Sequence, residues 1–142
     1  MLSMQRLATV VKIFCLVPFI TGAADLVDGV ALLKAAGSPI DGEIRTDPIM
    51  NSQVRFWGAI WFGYGILLWR TTSDLRKDAD LFRILCAILA LSGLGRFVST
   101  IQYGSPGAVL TGAMAVELVG AAGLFGWHAS LLRRNASGDG EA

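Results

Sequence analysis

The chain has 142 residues, 54% of them hydrophobic and 16% charged, with a mean hydropathy of +0.57 and a formal net charge of +1. A soluble domain carries about 25% charged residues, and a core this small cannot hide so much apolar surface, so the composition points to lipid as the solvent. A net charge this close to neutral gives no basis for nucleic-acid binding.

In chain order, residues 7–33 form an apolar first helix interrupted by Lys12, Thr21, Asp25 and Asp28. Arg6 and Lys12 ahead of an apolar stretch imitate a signal peptide, but apolar character resumes after Asp25, which favours an uncleaved span. Pro18 predicts a kink, and Gly37 followed by Pro39 predicts the stop. A polar loop covers residues 38–46. Asp47 then suits an N-cap with Pro48 at the first helical position, opening a second helix over residues 48–69. A charged connection over 70–80 leads to a third helix over 81–103, stopped by Gly104. Ser105-Pro106 repeats the cap-and-proline pattern and predicts a fourth helix from there to residue 132, with a disordered cytoplasmic tail over 135–142. The expected fold is all-α: a four-helix transmembrane bundle forming one membrane domain over residues 1–134, each helix near the ~20 residues a bilayer requires.

The basic residues set the expected orientation. Arg6, Lys12, Arg70, Arg76, Lys77, Arg83, Arg133 and Arg134 gather on one side, whereas Lys34 and Arg45 on the other are offset by Asp41, Glu43 and Asp47. The positive-inside rule then places both termini in the cytoplasm.

Each helix also carries a residue that lipid rejects, at roughly 2.5–3.5 kcal/mol for Arg or Asp at a helix centre on insertion scales. Counting from the outer helix ends at about 1.5 Å per residue, Arg55 and Arg96 lie about 10 Å deep and Asp25, Asp28 and Glu117 roughly 12–16 Å deep. Small or polar residues flank them at i±3 and i±4: Ser92, Gly93, Ser99 and Thr100 around Arg96, Ala113, Gly120 and Ala121 around Glu117, and Asn51, Gly58 and Ala59 around Arg55. Such faces are where membrane helices pack closely. The expected pairs are Arg96 with Glu117, and Arg55 with Asp25 or Asp28. The candidate ligand-binding set is Asp25, Asp28, Asn51, Arg55, Arg96, Ser99 and Glu117, read as a buried polar pocket in the outer half of the bundle. Three acids against two arginines leave a surplus negative charge, which suggests a protonated acid or a cationic or hydroxyl-bearing ligand.

Three functions fit this pattern. The first is binding or moving a small molecule or lipid headgroup, with proton coupling through Glu117. The second is a structural or accessory subunit in which the charges only fix helix packing. The third is a membrane enzyme on a lipid or isoprenoid substrate with Glu117 or Asp25 as acid and base, although no arrangement dictates a reaction. Neither a metal site nor a cofactor is expected, since Cys15 and Cys86 lie in separate apolar segments and His128 is the one histidine. The cysteines read as buried thiols, and His128 as an interfacial residue beside Trp127. The bilayer is the expected partner, and a homo-oligomer is compatible with the sequence.

Taken together, Asn51 to Arg55-Phe56, Gly95-Arg96-Phe97-Val98-Ser99, Gly104-Ser105-Pro106 and Glu117-Leu118-Val119-Gly120 form an ordered pattern. Over residues 8–127 it resembles a family of small bacterial four-helix membrane proteins of uncharacterised function. That resemblance implies a bacterial inner-membrane location and nothing about substrate.

Overall fold

A computed structural model describes residues 3–30, 33, 37 and 46–138, with side chains to residue 134 at the C-terminal end. Among the described residues every element is helical: α1 (Met4–Phe14), α2 (Leu16–Asp28), α3 (Pro48–Thr71), α4 (Ala79–Tyr103), α5 (Ala108–Ala115), a π-helical turn (Val116–Gly120) and α6 (Ala121–Gly138). α1 and α2 together form the first rod, and α5, the π turn and α6 form the fourth, so the fold is the expected four-helix bundle.

Pro18 breaks the first rod earlier than its own position suggests. It has no N–H to give the Phe14 carbonyl four residues back, and its ring crowds that carbonyl, so α1 ends at Phe14 with Cys15 between the segments. α2 stops at Asp28, where Gly29 turns the chain at φ 60°. Of the expected continuation to residue 33 and the Gly37–Pro39 stop, Leu33 is helical and Gly37 stands in a turn at φ 91°, whereas Pro39 and the loop charges Lys34, Asp41, Glu43 and Arg45 lie outside the described residues.

The second rod starts as the sequence predicts. The Asp47 carboxylate accepts from the Met50 N–H at 2.7 Å, and Pro48 occupies the first turn. The fourth starts differently. Gly107, at φ 94°, precedes the first helical residue, so Pro106 falls outside the helix, which begins at Ala108. Ser105 still braces the turn, its hydroxyl accepting from the Gly107 N–H at 3.3 Å. At the other end α6 continues to Gly138, past the expected start of the tail.

Among the described residues three helices are long and apolar enough to cross a membrane: Met4–Asp28, Ala79–Tyr103 and Ala108–Arg134. α3 has the length, at 24 residues, but not the apolar character. Asn51, Ser52, Gln53 and Arg55 open it, and Trp57, Trp61, Tyr64 and Trp69 contribute less hydropathy than aliphatic side chains would. Apolar side chains also point outward around the bundle, among them Ile20 at 67%, Leu91 at 70% and Val119 at 73% exposure. Lipid is the solvent in which such a surface is stable.

Packing divides the bundle by height. A shared core of Leu7, Val11 and Cys15, Tyr64 and Leu68, Phe82, Leu85, Cys86 and Leu89, and Ala121, Leu124 and Leu131 joins all four rods at the end that carries α1 and the 72–78 connection. Beyond the level of Tyr64, Leu89 and Ala121, burial is confined to two separate pairs. α2 packs on α3 through Gly22 and Gly58. A Cβ on Gly58 would stand 2.7 Å from the Asp25 Cβ, and one on Gly22 2.9 Å from the Gly58 carbonyl oxygen. α4 meets the π turn at Gly93, where a Cβ would lie 2.8 Å from Leu118 Cγ and 3.0 Å from Glu117 Cβ.

Candidate functional site

Arg96 projects from the C-terminal third of α4 towards the fourth rod, and Glu117 sits in the π turn facing it. Arg96 Nε donates to both carboxylate oxygens, at 3.1 Å to Oε1 and 2.9 Å to Oε2. This is the expected pairing, and Gly93 one turn away is what lets the backbones approach closely enough to make it. The Glu117 side chain is 7% exposed and that of Arg96 42%. The acid is thus sealed behind the arginine, and the guanidinium is the face the pair shows to its surroundings. Neither terminal nitrogen of Arg96 hydrogen-bonds to a described residue. Thr100, one turn on, turns its hydroxyl back to the Arg96 carbonyl at 2.9 Å, while the Ser99 hydroxyl is exposed and makes no hydrogen bond among the described residues. A π turn widens the helix by one residue and recurs at functional sites.

The second polar cluster belongs to the other pair of rods. Arg55 Nε donates to the Asn51 side-chain oxygen at 2.7 Å, and its Nη1 donates to the carbonyl of Leu26. Asn51 lies against Gly29, whose missing side chain leaves room for the amide: a Cβ there would be 3.0 Å from Asn51 Nδ2. The expected bridge from Arg55 to Asp25 or Asp28 is absent. Among the described residues neither acid forms an ion pair or a side-chain hydrogen bond. The reason is that α2 ends beside Arg55, so an unsatisfied backbone carbonyl in its last turn is within reach and takes the donor. Asp25 is half-buried against Gly58, and Asp28 is exposed.

The seven expected residues therefore form two clusters: Asn51 and Arg55 with Asp25 and Asp28 nearby, and Arg96 and Glu117 with Ser99 nearby. Neither of the two best-formed cavities contains them. One, of about 180 Å³, is framed by Met4, Gln5, Ala8 and the 72–76 connection. The other is an apolar groove of about 450 Å³ between α3 and α4, lined by Ile60, Gly63, Tyr64, Leu67, Leu85 and Ile88.

Two polar residues stand in the shared core, one read from sequence as interfacial and the other not read as polar at all. His128 is buried rather than interfacial. Its ring packs on Phe82 at 4.7 Å between centroids, and Nε2 donates to the Leu75 carbonyl at 2.8 Å, pinning the 72–78 connection to the fourth rod. The signal was available: Glu117, Ala121, Leu124, His128 and Leu131 follow a 4-3-4-3 spacing that defines one buried stripe. Tyr64 donates its hydroxyl to the Leu85 carbonyl at 3.2 Å and stacks on Trp61, whose indole N–H reaches Thr21 Oγ1 at 2.9 Å. Cys15 and Cys86 are buried and free, as expected.

In the 72–78 connection the Asp74 carboxylate accepts from the N–H groups of Arg76 at 3.0 Å and Lys77 at 3.1 Å. These bonds, helped by the two side-chain cations, hold its pKa below the ordinary 3.8.

A family model described as a domain of unknown function (DUF4345) matches residues 6–128, and the chain belongs to that family. No curated protein and no solved structure matches the chain.

Proposed function

We propose that this DUF4345 member is a multi-pass protein of a bacterial inner membrane, with both termini in the cytoplasm, that binds or moves a small molecule or lipid headgroup at the Arg96–Glu117 pair. One observation carries this reading: an ion pair between two apolar helices, about two turns from the helix end at Tyr103, keeps its acid sealed and its guanidinium open. A pair that served packing alone would gain nothing from an open guanidinium in a layer without water, because each unsatisfied N–H in hydrocarbon costs several kcal/mol. Glu117 is the group through which binding would couple to proton movement. Asn51 and Arg55 form a second polar wall on the neighbouring pair of rods, and Asp25 and Asp28 add acid to it. The bilayer is the immediate partner, and association of identical copies is compatible with the exposed apolar faces.

The test pairs stability with ligand response. Wild type, Glu117→Gln and Arg96→Gln are purified in detergent, and thermal unfolding is followed against a panel of lipids and metabolites. Ligand-induced stabilisation of wild type that both variants lose supports the reading. Variants that lose folding while wild type responds to nothing leave the scaffold reading, which the close Gly93 contact favours. For orientation, Asp41→Cys is expected to react with an impermeant thiol reagent from outside the cell; labelling only after lysis reverses the topology.

A further inference from the structure

We infer that the open edge of the Arg96 guanidinium, together with the Ser99 hydroxyl, is a binding site for an anionic oxygen ligand, the phosphate of a lipid headgroup or a free phosphate. This rests on the reading above and specifies its ligand chemistry.

The geometry of the pair decides the sign of the ligand. Glu117 is the more buried partner, and both of its oxygens accept from Arg96 Nε. A cation approaching from outside would therefore meet the guanidinium before the carboxylate. What the site offers outward is the pair of terminal nitrogens, which donate to no described residue. Two coplanar nitrogens suit two oxygens of one phosphate, a charge-assisted bidentate arrangement. The surplus of acids counted along the sequence does not alter this, because Asp25 and Asp28 belong to the other pair of rods.

Glu117 also fixes the orientation of that edge. With Nε held, the guanidinium plane is anchored at one side and the remaining side is presented without further loss of rotamer freedom on binding. Ser99 lies three residues on, along the same helix face, and its hydroxyl is uncommitted among the described residues. Arg55 differs: it commits both Nε and Nη1 to neighbouring oxygens. Depth is compatible with a headgroup. Arg96 lies about 10 Å from the helix end at Tyr103, and a long arginine side chain extends towards the interface.

The experiment uses the full chain in detergent and four probes: short-chain phosphatidic acid, the matching diacylglycerol without phosphate, inorganic phosphate, and a quaternary-ammonium amphiphile of equal chain length. Thermal stabilisation by phosphatidic acid, at least about tenfold tighter than by diacylglycerol, is expected. Inorganic phosphate acting as well as the lipid identifies a free anion as the source, and its failure identifies the headgroup. The double variant Arg96→Gln/Glu117→Gln, which retains a neutral hydrogen-bonded pair, should lose the phosphate preference, and Ser99→Ala should weaken it a few-fold. If the double variant does not fold, Arg96→Lys replaces it, keeping the charge but not the two-nitrogen edge, and is expected to lose most of the preference. Unchanged preference in whichever of these two variants is measured overturns the inference, as does equal stabilisation by diacylglycerol. Stabilisation by the quaternary amine alone, lost in the variant, overturns the anion while leaving a ligand site at the pair. Silence from every probe and from the wider panel overturns both.

Discussion

Two arginines enter the bundle at matching depth and are handled in different ways. Arg96 finds a carboxylate on the neighbouring rod, with Gly93 bringing the backbones close. Arg55 finds an amide on its own helix and a carbonyl at the end of α2, although two acids lie within the same stretch of chain. The contrast shows that a helix end is itself a competitor for a buried cation: its last carbonyls are unpaired, fixed in place and partly negative. A carboxylate prevails only where no such end is within reach, as along the middle of the fourth rod.

That contrast can be broken by experiment. The largest effect belongs to Arg96→Ala, which strands the sealed Glu117 carboxylate and is expected to cost about 3 kcal/mol in detergent unfolding, against about 1 kcal/mol for Arg55→Ala, whose partners are neutral. Equal losses would mean the two clusters are equivalent. Next come the close contacts on either side. Gly58→Ala and Gly93→Ala are each expected to cost about 2 kcal/mol through forced separation of the helices. Gly95→Ala, where a Cβ meets nothing within 4 Å, should be neutral or slightly stabilising. A smaller effect is expected of Asp25→Asn, within about 0.5 kcal/mol, since no ion pair is lost; a loss approaching that of Arg96→Ala would reveal a bridge from Arg55 after all. The smallest effect is that of Asp74, outside both clusters. Its lowered pKa means that its contribution to stability is present above the unfolded value near 3.8 and fades as pH falls through the folded value. The difference in melting temperature between wild type and Asp74→Ala should therefore be visible at pH 6 and vanish in strong acid.

What the sequence made legible follows from the kind of information each feature needed. The Asp47-Pro48 start required only local chemistry, and it appears as expected. Arg96 and Glu117 could be matched because both lie well inside long helical rods, where counting residues gives depth and i±3 spacing gives face; the π turn at Glu117 shifts that count by one residue only. Arg55 could not be matched in that way. Its partner depends on where α2 ends, and Gly29 ends it sooner than the apolar pattern suggested. The start of the fourth helix was displaced for a similar reason: Gly107 tolerates a positive φ, so Ser105-Pro106 stands in a turn rather than in the first helical turn. Depth along a rod is a one-dimensional quantity, whereas grouping seven residues into one site also requires lateral neighbours. The division of the bundle into two pairs at that level supplies the neighbours and separates the clusters. His128 was misplaced because one residue next to Trp127 was weighed alone, without the stripe to which it belongs.

The shared core at one end has a mechanical consequence. His128 ties the 72–78 connection to the fourth rod, and Tyr64 ties the second rod to the third through the Leu85 carbonyl. These ties make that end a joint and leave the opposite ends as two arms, each of them a helix pair locked by glycine contacts. The arm from Pro48 to the joint at Tyr64 is about 24 Å long, so a tilt of about 5° at the joint moves its tip by about 2 Å. Arg55 rides on one arm and Arg96 on the other, so the spacing between the two guanidinium groups is set by an angle.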